Sequence, residues 1–266
     1  MVEITDSSYW KVLKYKILRI IFGFILLGSV LGALNGYWSG WFILLVAMIY
    51  ISTILILSTN IRFNFFQNSI HSAVGRDGIG LSFDDGPHPN TLKILDILDE
   101  FEVKALFFCI GKNIAEYPEI YREIIKRGHV VGNHTFSHSR KFGFLSTHAI
   151  ISEIQQCDRI ATEVAGLKTK LFRPPFGVIN PKVSRAILAT GHITVGWSVR
   201  SYDAITSSPD KIYQRITKDL KAGDLILLHD NIPQSAKVLE QLLVFLKQKN
   251  LTAIRPDHLL DIDAYS

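Results

Sequence analysis

Charge is missing from a long stretch near the start of the chain: no Asp, Glu, Lys or Arg occurs from Ile20 to Ile61. As one helix that stretch would be roughly 60 Å long, about twice the hydrocarbon core of a bilayer. It therefore has to fold back on itself, and Asn35-Gly36-Tyr37-Trp38-Ser39-Gly40 supplies a turn with interfacial aromatics. Two membrane spans are expected at about 17–34 and 41–59, inside an N-terminal membrane region covering 1–65. One span plus a re-entrant segment is the alternative, while a cleaved signal peptide would show a shorter apolar core and a small-residue cleavage site. Lys11, Lys14, Lys16 and Arg19 precede or open the first span, which keeps the N-terminus in the cytoplasm. Two spans then return the remainder to the cytoplasmic side. Only Arg62 follows the second span closely, so this bias rests on few charges and the membrane side stays open.

Other scarcities narrow the function. Cysteine occurs twice, as Cys109 and Cys157 inside apolar patterns, which read as buried free thiols rather than a disulfide and say little about redox compartment. The formal charge of +5 and pI of about 9.1 are a mild excess, partly concentrated before the first span. No basic stripe with interleaved aromatics is present, so a nucleic acid is not an expected partner, and no protein partner is predicted. Residues 66–266 are enough for one domain with a sizeable core.

From residue 79 onward, short apolar runs alternate with amphipathic helical patterns. Strands are expected at Ile79–Phe83, Lys104–Cys109, His129–Asn133, Lys170–Phe172, Ile193–Val199, Asp224–Leu228 and Leu251–Ile254. Helices are expected at Thr91–Glu102, Ile114–Arg127, Thr147–Ala165, Pro181–Thr190, Asp210–Lys221 and Ser235–Lys249. Gly128, Gly166, Gly191 and Gly223 follow four of them as C-terminal caps. Such βα repetition gives a parallel α/β fold, either a barrel or an open doubly wound sheet. Chemically capable residues follow nearly every strand: Asp84-Asp85, His134, Arg173, Asp203 and His229. Their convergence on one face favours a barrel of six or seven βα units, preceded by two transmembrane helices.

Four segments carry the chemistry. Ser82-Phe83-Asp84-Asp85-Gly86-Pro87 places two carboxylates at an expected exposed rim, where one can bind a metal while the other faces a reacting water. His134-Thr135-Phe136-Ser137-His138 is a His-x-x-x-His pair that shares one face if it forms a helical turn. Two imidazoles and Asp85 would leave an open position for water, as catalytic zinc sites do. Arg173-Pro174-Pro175-Phe176-Gly177 alone reads as a rigid turn with a surface arginine, yet Arg173 can hold a carboxylate in a fixed fork. Leu225-Ile226-Leu227-Leu228-His229-Asp230 is a buried strand ending in a histidine suited to general acid work. His71, His88, His129, His148, His192 and His258 show no partner pattern, although His88 lies in the first motif's loop.

Taken together, and in this order, the motifs over about 78–256 resemble the NodB-homology polysaccharide deacetylases. The resemblance implies a distorted (β/α)7-8 barrel that hydrolyses N-acetyl groups on an N-acetylated glycan: a polymer, an oligomer or a lipid-linked sugar. It implies Asp84 as general base, Asp85, His134 and His138 as metal ligands, and Arg173 as the residue orienting the base. It further implies His229 as general acid, tuned by Asp203, with the Phe176 backbone N–H facing the oxyanion and Pro174 and Leu227 at the substrate. The implied cofactor is a divalent cation, zinc first, with cobalt, nickel or manganese also accepted by such ligands. The fourth motif, Trp197 to Ala204, departs from the pattern. Arg200 stands where many members carry Asp, and Ala204 where they carry the Trp that walls the acetyl pocket. That departure keeps two other readings in view: an ester or cyclic-amide hydrolase, and a sugar-binding membrane protein with a degenerate site.

Overall fold

A computed structural model describes residues 4–266, with side chains from Leu13 onward. Two helices come first, α1 (Ile4–Leu34) and α2 (Trp41–Thr59). Leu13–Leu34 and Trp41–Thr59 are long and apolar enough to cross a membrane, and each stretch is only 11% buried. A core helix would hide such a surface, whereas Phe24, Leu34, Trp41 and Met48 lie exposed. The turn between the helices falls where its residues predict. There the Trp38 indole N–H donates to the Ser29 carbonyl at 2.8 Å, and its ring covers Gly32, where a Cβ would collide with it.

Eight parallel strands follow: β1 (Ser69–Ile70), β2 (Gly80–Gly86), β3 (Leu106–Cys109), β4 (Val130–Asn133), β5 (Leu171–Phe172), β6 (Ile193–Val195), β7 (Val199–Arg200) and β8 (Leu225–His229). Their order in the sheet is β1-β6-β5-β4-β3-β2-β8-β7. The outer layer comprises α3 (Thr91–Glu100), α4 (Gly111–Glu116), α5 (Pro118–Lys126), α6 (Thr147–Ala165), α7 (Pro181–Thr190), α8 (Pro209–Thr217), α9 (Pro233–Gln248) and α10 (Pro256–Leu260). This curled parallel sheet with helices outside is the distorted barrel expected.

Several elements differ from expectation, β1 and α10 being unexpected, and three of the differences have a local reason. The helix expected over Ile114–Arg127 is two, divided at Tyr117-Pro118. Proline lacks an N–H and pushes the residue before it out of the helical region, and Tyr117 sits at φ −125°, ψ 58°. The strand expected over Leu251–Ile254 makes only one bridge, Ile79 to Ala253, before Pro256 opens α10. The strand expected over Ile193–Val199 splits at Gly196-Trp197-Ser198. Its first half pairs with β5 and β1, and its second with β8 at the other end of the sheet. That three-residue crossing spans the seam between the two ends of the sheet, whose edge strands are β1 and β7.

Strand alternation decides what faces inward. On β2, Leu81 and Phe83 join the core beneath the outer helices, which leaves Ser82 and Asp84 on the barrel interior. On β8, Ile226 and Leu228 face that same helical layer, while Leu227 and His229 take the interior side. Register places Asp84 beside His229. The end of α2 does not hang free of the barrel: Ile54, Leu57 and Ile61 pack with Phe66, Ile179, Trp197 and Leu227. The Ile179 N–H also donates to the Ser58 carbonyl inside α2 at 2.9 Å.

Candidate active site

Asp84 and Asp85 lie within β2 rather than after it, and Asp84 is 4% exposed, so the expected exposed rim is corrected to a nearly closed interior. A register shift between Asp84 and Gly86 turns the two carboxylates apart, with Asp85 at φ 74°. The surface reading of Arg173 is overturned as well: its side chain is wholly buried. Nη1 donates to Asp84 Oδ1 at 2.6 Å and to the Ser82 hydroxyl at 3.0 Å, because those two residues share one face of β2. Nε and Nη2 donate to the carbonyls of Val195 and Gly196, at 3.0 and 2.6 Å. The guanidinium also lies 4.1 Å from the centre of the Phe108 ring. Arg173 thus holds the Asp84 carboxylate and the start of the barrel seam together.

His134 and His138 come together without a helical turn: Thr135 at φ 68° and His138 at φ 46° make an irregular corner instead. Both Nε2 atoms lie 3.5 Å from Asp85 Oδ1, and the ligating atoms of Asp85, His134 and His138 all fall within 4.8 Å of one another. His134 Nδ1 sits 2.7 Å from the Arg173 carbonyl oxygen. A carbonyl only accepts, so Nδ1 carries the proton and Nε2 presents its lone pair to the cluster. Burial alone would raise the Asp85 pKa, but the facing imidazoles of His134, and then His138, more than offset it and pull it well below the usual carboxylate range. Asp85 Oδ1 is buried with no hydrogen-bond partner. An orphaned anionic oxygen between two imidazole lone pairs fits a small divalent cation, and the donor set of two nitrogens and one oxygen suits zinc and its neighbours.

On the other side, His229 Nδ1 lies 2.7 Å from Asp203 Oδ1. Asp203 also accepts from the His229 N–H at 2.8 Å, the Ser201 hydroxyl at 2.7 Å and the Ser235 hydroxyl at 2.8 Å. Burial disfavours a charged His229, yet the Asp203 bond and the nearby Asp84 and Asp85 carboxylates override it and push its pKa up to about 9. Phe176 is 48% exposed, adopts φ 59°, ψ 5°, and sets its ring 4.9 Å from that of His138 at a tilt of 59°. Pro174 and Leu227 are buried beneath it, Leu227 in the cluster with Trp197. Five of the nine non-glycine residues with positive φ lie in these segments, at Asp85, Thr135, His138, Phe176 and Tyr202. Strain of this kind, about 1–3 kcal/mol each, collects where geometry serves chemistry.

Some contributors carried no signal beyond their neighbours. Ser82, two residues before Asp84 and so on the same face of β2, accepts from Arg173. Asp230 is buried next to His229, where desolvation raises its pKa to about 7. The Thr91 hydroxyl donates to its Oδ2 at 2.6 Å, and its Oδ1 has no partner. His88 accepts the Asn90 N–H at 3.1 Å, a local turn contact.

A polysaccharide deacetylase family model matches residues 71–195. Over 176 residues the chain is 33% identical to a peptidoglycan-N-acetylglucosamine deacetylase of Bacillus cereus, covering 64% of this chain and 64% of the relative. Over 175 residues it is 30% identical to a chitooligosaccharide deacetylase of Sinorhizobium fredii, covering 65% of this chain and 80% of the relative. A crystal structure of a peptidoglycan N-acetylglucosamine deacetylase superposes with a TM-score of 0.70 at 28% identity, covering 74% of this chain and 95% of the other. The chain belongs to the polysaccharide deacetylase family.

Proposed function

We propose that this protein is a metal-dependent hydrolase that removes N-acetyl groups from an N-acetylated amino-sugar glycan. The observation that carries the reading is the orphaned Asp85 oxygen between His134 and His138, flanked by an ion-paired carboxylate on one side and a carboxylate-held histidine on the other. A divalent cation held by Asp85, His134 and His138 would supply Lewis-acid polarisation of the amide carbonyl and make water acidic near neutral pH.

The chain's own residues supply the rest. Asp84, held in place by Arg173, takes the proton from the attacking water. Arg173 has no freedom to leave, because its other donors are tied to Ser82, Val195 and Gly196. The Phe176 N–H faces the developing oxyanion, a donor worth about 3 kcal/mol in comparable sites. Pro174 and Leu227 shape the floor under the acetyl group. His229, protonated through Asp203, delivers its proton to the departing nitrogen, and acetate leaves with the amine freed.

We read residues 1–65 as a membrane region with two spans and 66–266 as the catalytic unit. Charge bias then sets the catalytic unit on the cytoplasmic side, where an N-acetylated sugar on a lipid carrier is the fitting substrate. Labelling of cysteines placed at Gly40 and Ser266 in intact cells tests the topology: protection at Ser266 with reaction at Gly40 is expected, and the reverse overturns it. The reaction is tested by acetate release from N-acetylglucosamine oligomers after chelation and after adding zinc or cobalt. Release restored by metal, and absent in His134→Ala, is expected. Stoichiometric metal without release from N-acetyl or O-acetyl substrates would overturn the hydrolytic reading.

A further inference from the structure

Three arginines gather beside the end of α2 without a carboxylate partner. Arg62 follows the last residue of α2 by three positions, and its Nη1 reaches the Ser198 carbonyl at 3.4 Å. Arg200, which departs from the family pattern, holds its guanidinium 5.4 Å from the Trp197 ring and 4.9 Å from the Tyr202 ring. Arg215 donates to the Ser201 carbonyl at 3.1 Å and lies 5.1 Å from the same Tyr202 ring. None of the three takes part in an ion pair among the described residues.

All three line one cleft of about 640 Å³, with Lys221 as a fourth cation and Asp219 and Asp224 as its acids. Asp224 is already engaged, accepting from the Ser198 hydroxyl at 2.7 Å and the Lys221 N–H at 2.9 Å. Four cations against two acids leave positive charge in excess. The arginines are also braced on aromatic faces and backbone carbonyls, so they lose little freedom on binding. Several guanidinium forks around one space suit a ligand with many anionic acceptors, which is the chemistry of a phosphate group.

The cleft's depth identifies how that phosphate is presented. Arg62 lies three residues past Thr59, so the chain can carry it no more than about 10 Å beyond the end of α2. The headgroup layer outside the hydrocarbon core is about 5–8 Å deep on each side. Phe63, beside Arg62, is 51% exposed, and Val74, which lines the cleft, is 92% exposed. Apolar side chains interleaved with cations at a span's end match the water–lipid boundary.

We propose that this cleft binds the phosphate group of a membrane lipid at the bilayer surface. The inference rests on α2 crossing the membrane and not on the hydrolytic reaction. It gives Arg200 a task outside the acetyl pocket, and it fixes the barrel's orientation against the lipid surface.

The test titrates the full-length protein in a nonionic detergent with dioctanoyl phosphatidic acid, with dioctanoylglycerol and with inorganic phosphate, following heat on mixing. Phosphatidic acid is expected to bind at one site and dioctanoylglycerol not to. Arg62→Gln and Arg200→Gln should each weaken binding by about tenfold or more, while Arg140→Gln, outside the cleft, should not. Equal affinity for inorganic phosphate would overturn the lipid source. Failure of phosphatidic acid to bind the wild type, or unchanged affinity in the folded Arg62→Gln/Arg200→Gln double variant, would overturn the site. If the variants do not fold, the three wild-type titrations still decide.

Discussion

Replacing Asp84 by Asn separates the base from the metal site, and the structure sets the size of each effect. The change is isosteric, so the Arg173 Nη1 bond at 2.6 Å keeps an acceptor but loses its charge. A hydrogen bond to a charged group contributes about 1.5–3 kcal/mol and a neutral one about 0.5–1.5 kcal/mol, a difference of about 1–2 kcal/mol. Fully breaking a buried pair costs about 3–5 kcal/mol, but here Ser82, Val195 and Gly196 still receive the guanidinium. A loss of about 2 kcal/mol is expected, which lowers the melting temperature by about 4–8 °C for a domain of this size. Turnover should fall by about 10²–10⁴, the usual worth of a positioned proton acceptor. Metal content should stay stoichiometric, since Asp85, His134 and His138 are untouched. The assays are acetate release, elemental analysis and thermal melting on one preparation. Normal turnover would remove Asp84 as the base. Loss of metal would instead make Asp84 a ligand, a role its Oδ2, 3.8 Å from His134 Nε2, is near enough to contest.

Two more predictions concern histidines. Asp203→Asn withdraws the charge that holds His229 protonated and should cut turnover by at least about 10²-fold while metal content is unchanged; turnover within twofold of wild type would remove Asp203 from the mechanism. His129 is buried, its Nδ1 accepts the Ala105 N–H at 3.1 Å, and burial depresses its pKa to about 4. The unfolded chain therefore binds a proton there before the folded one does, so stability should fall as pH drops from about 6.5 through about 4, by up to about 3 kcal/mol from this group. Melting curves of wild type and His129→Asn across that window check it, and identical pH slopes would refute it.

The barrel was legible because apolar alternation and glycine caps are local, as at Gly128, Gly166 and Gly191, although Gly223 caps nothing because α8 already ends at Thr217. β2, β3, β4 and β8 fell close to their expected places. What the residues could not announce were tertiary events. Gly196 gives no sign that the chain there changes sheet neighbours from β5 to β8. Arg173 followed by two prolines looks the same whether it reaches water or turns inward over Phe108. The site's chemistry was readable from Asp84-Asp85, His134 to His138 and His229, since residue type restricts metal and proton chemistry strongly. The irregular corner carrying His138 was not readable, because Thr135 and His138 adopt backbone conformations that neither favours alone. Nor was Asp230 given a role, since its burial depends on α3 bringing Thr91 against it.

The seam between β6 and β7 has a consequence for how the molecule fails. The carbonyls at its entry, Val195 at the end of β6 and Gly196 after it, are clasped by the guanidinium that also holds Asp84. Latch and trigger are thus one side chain. Release of Arg173 would therefore free the end of β6 and the Asp84 carboxylate in a single event. Anything that grips Asp84 from within tightens the latch from the inside.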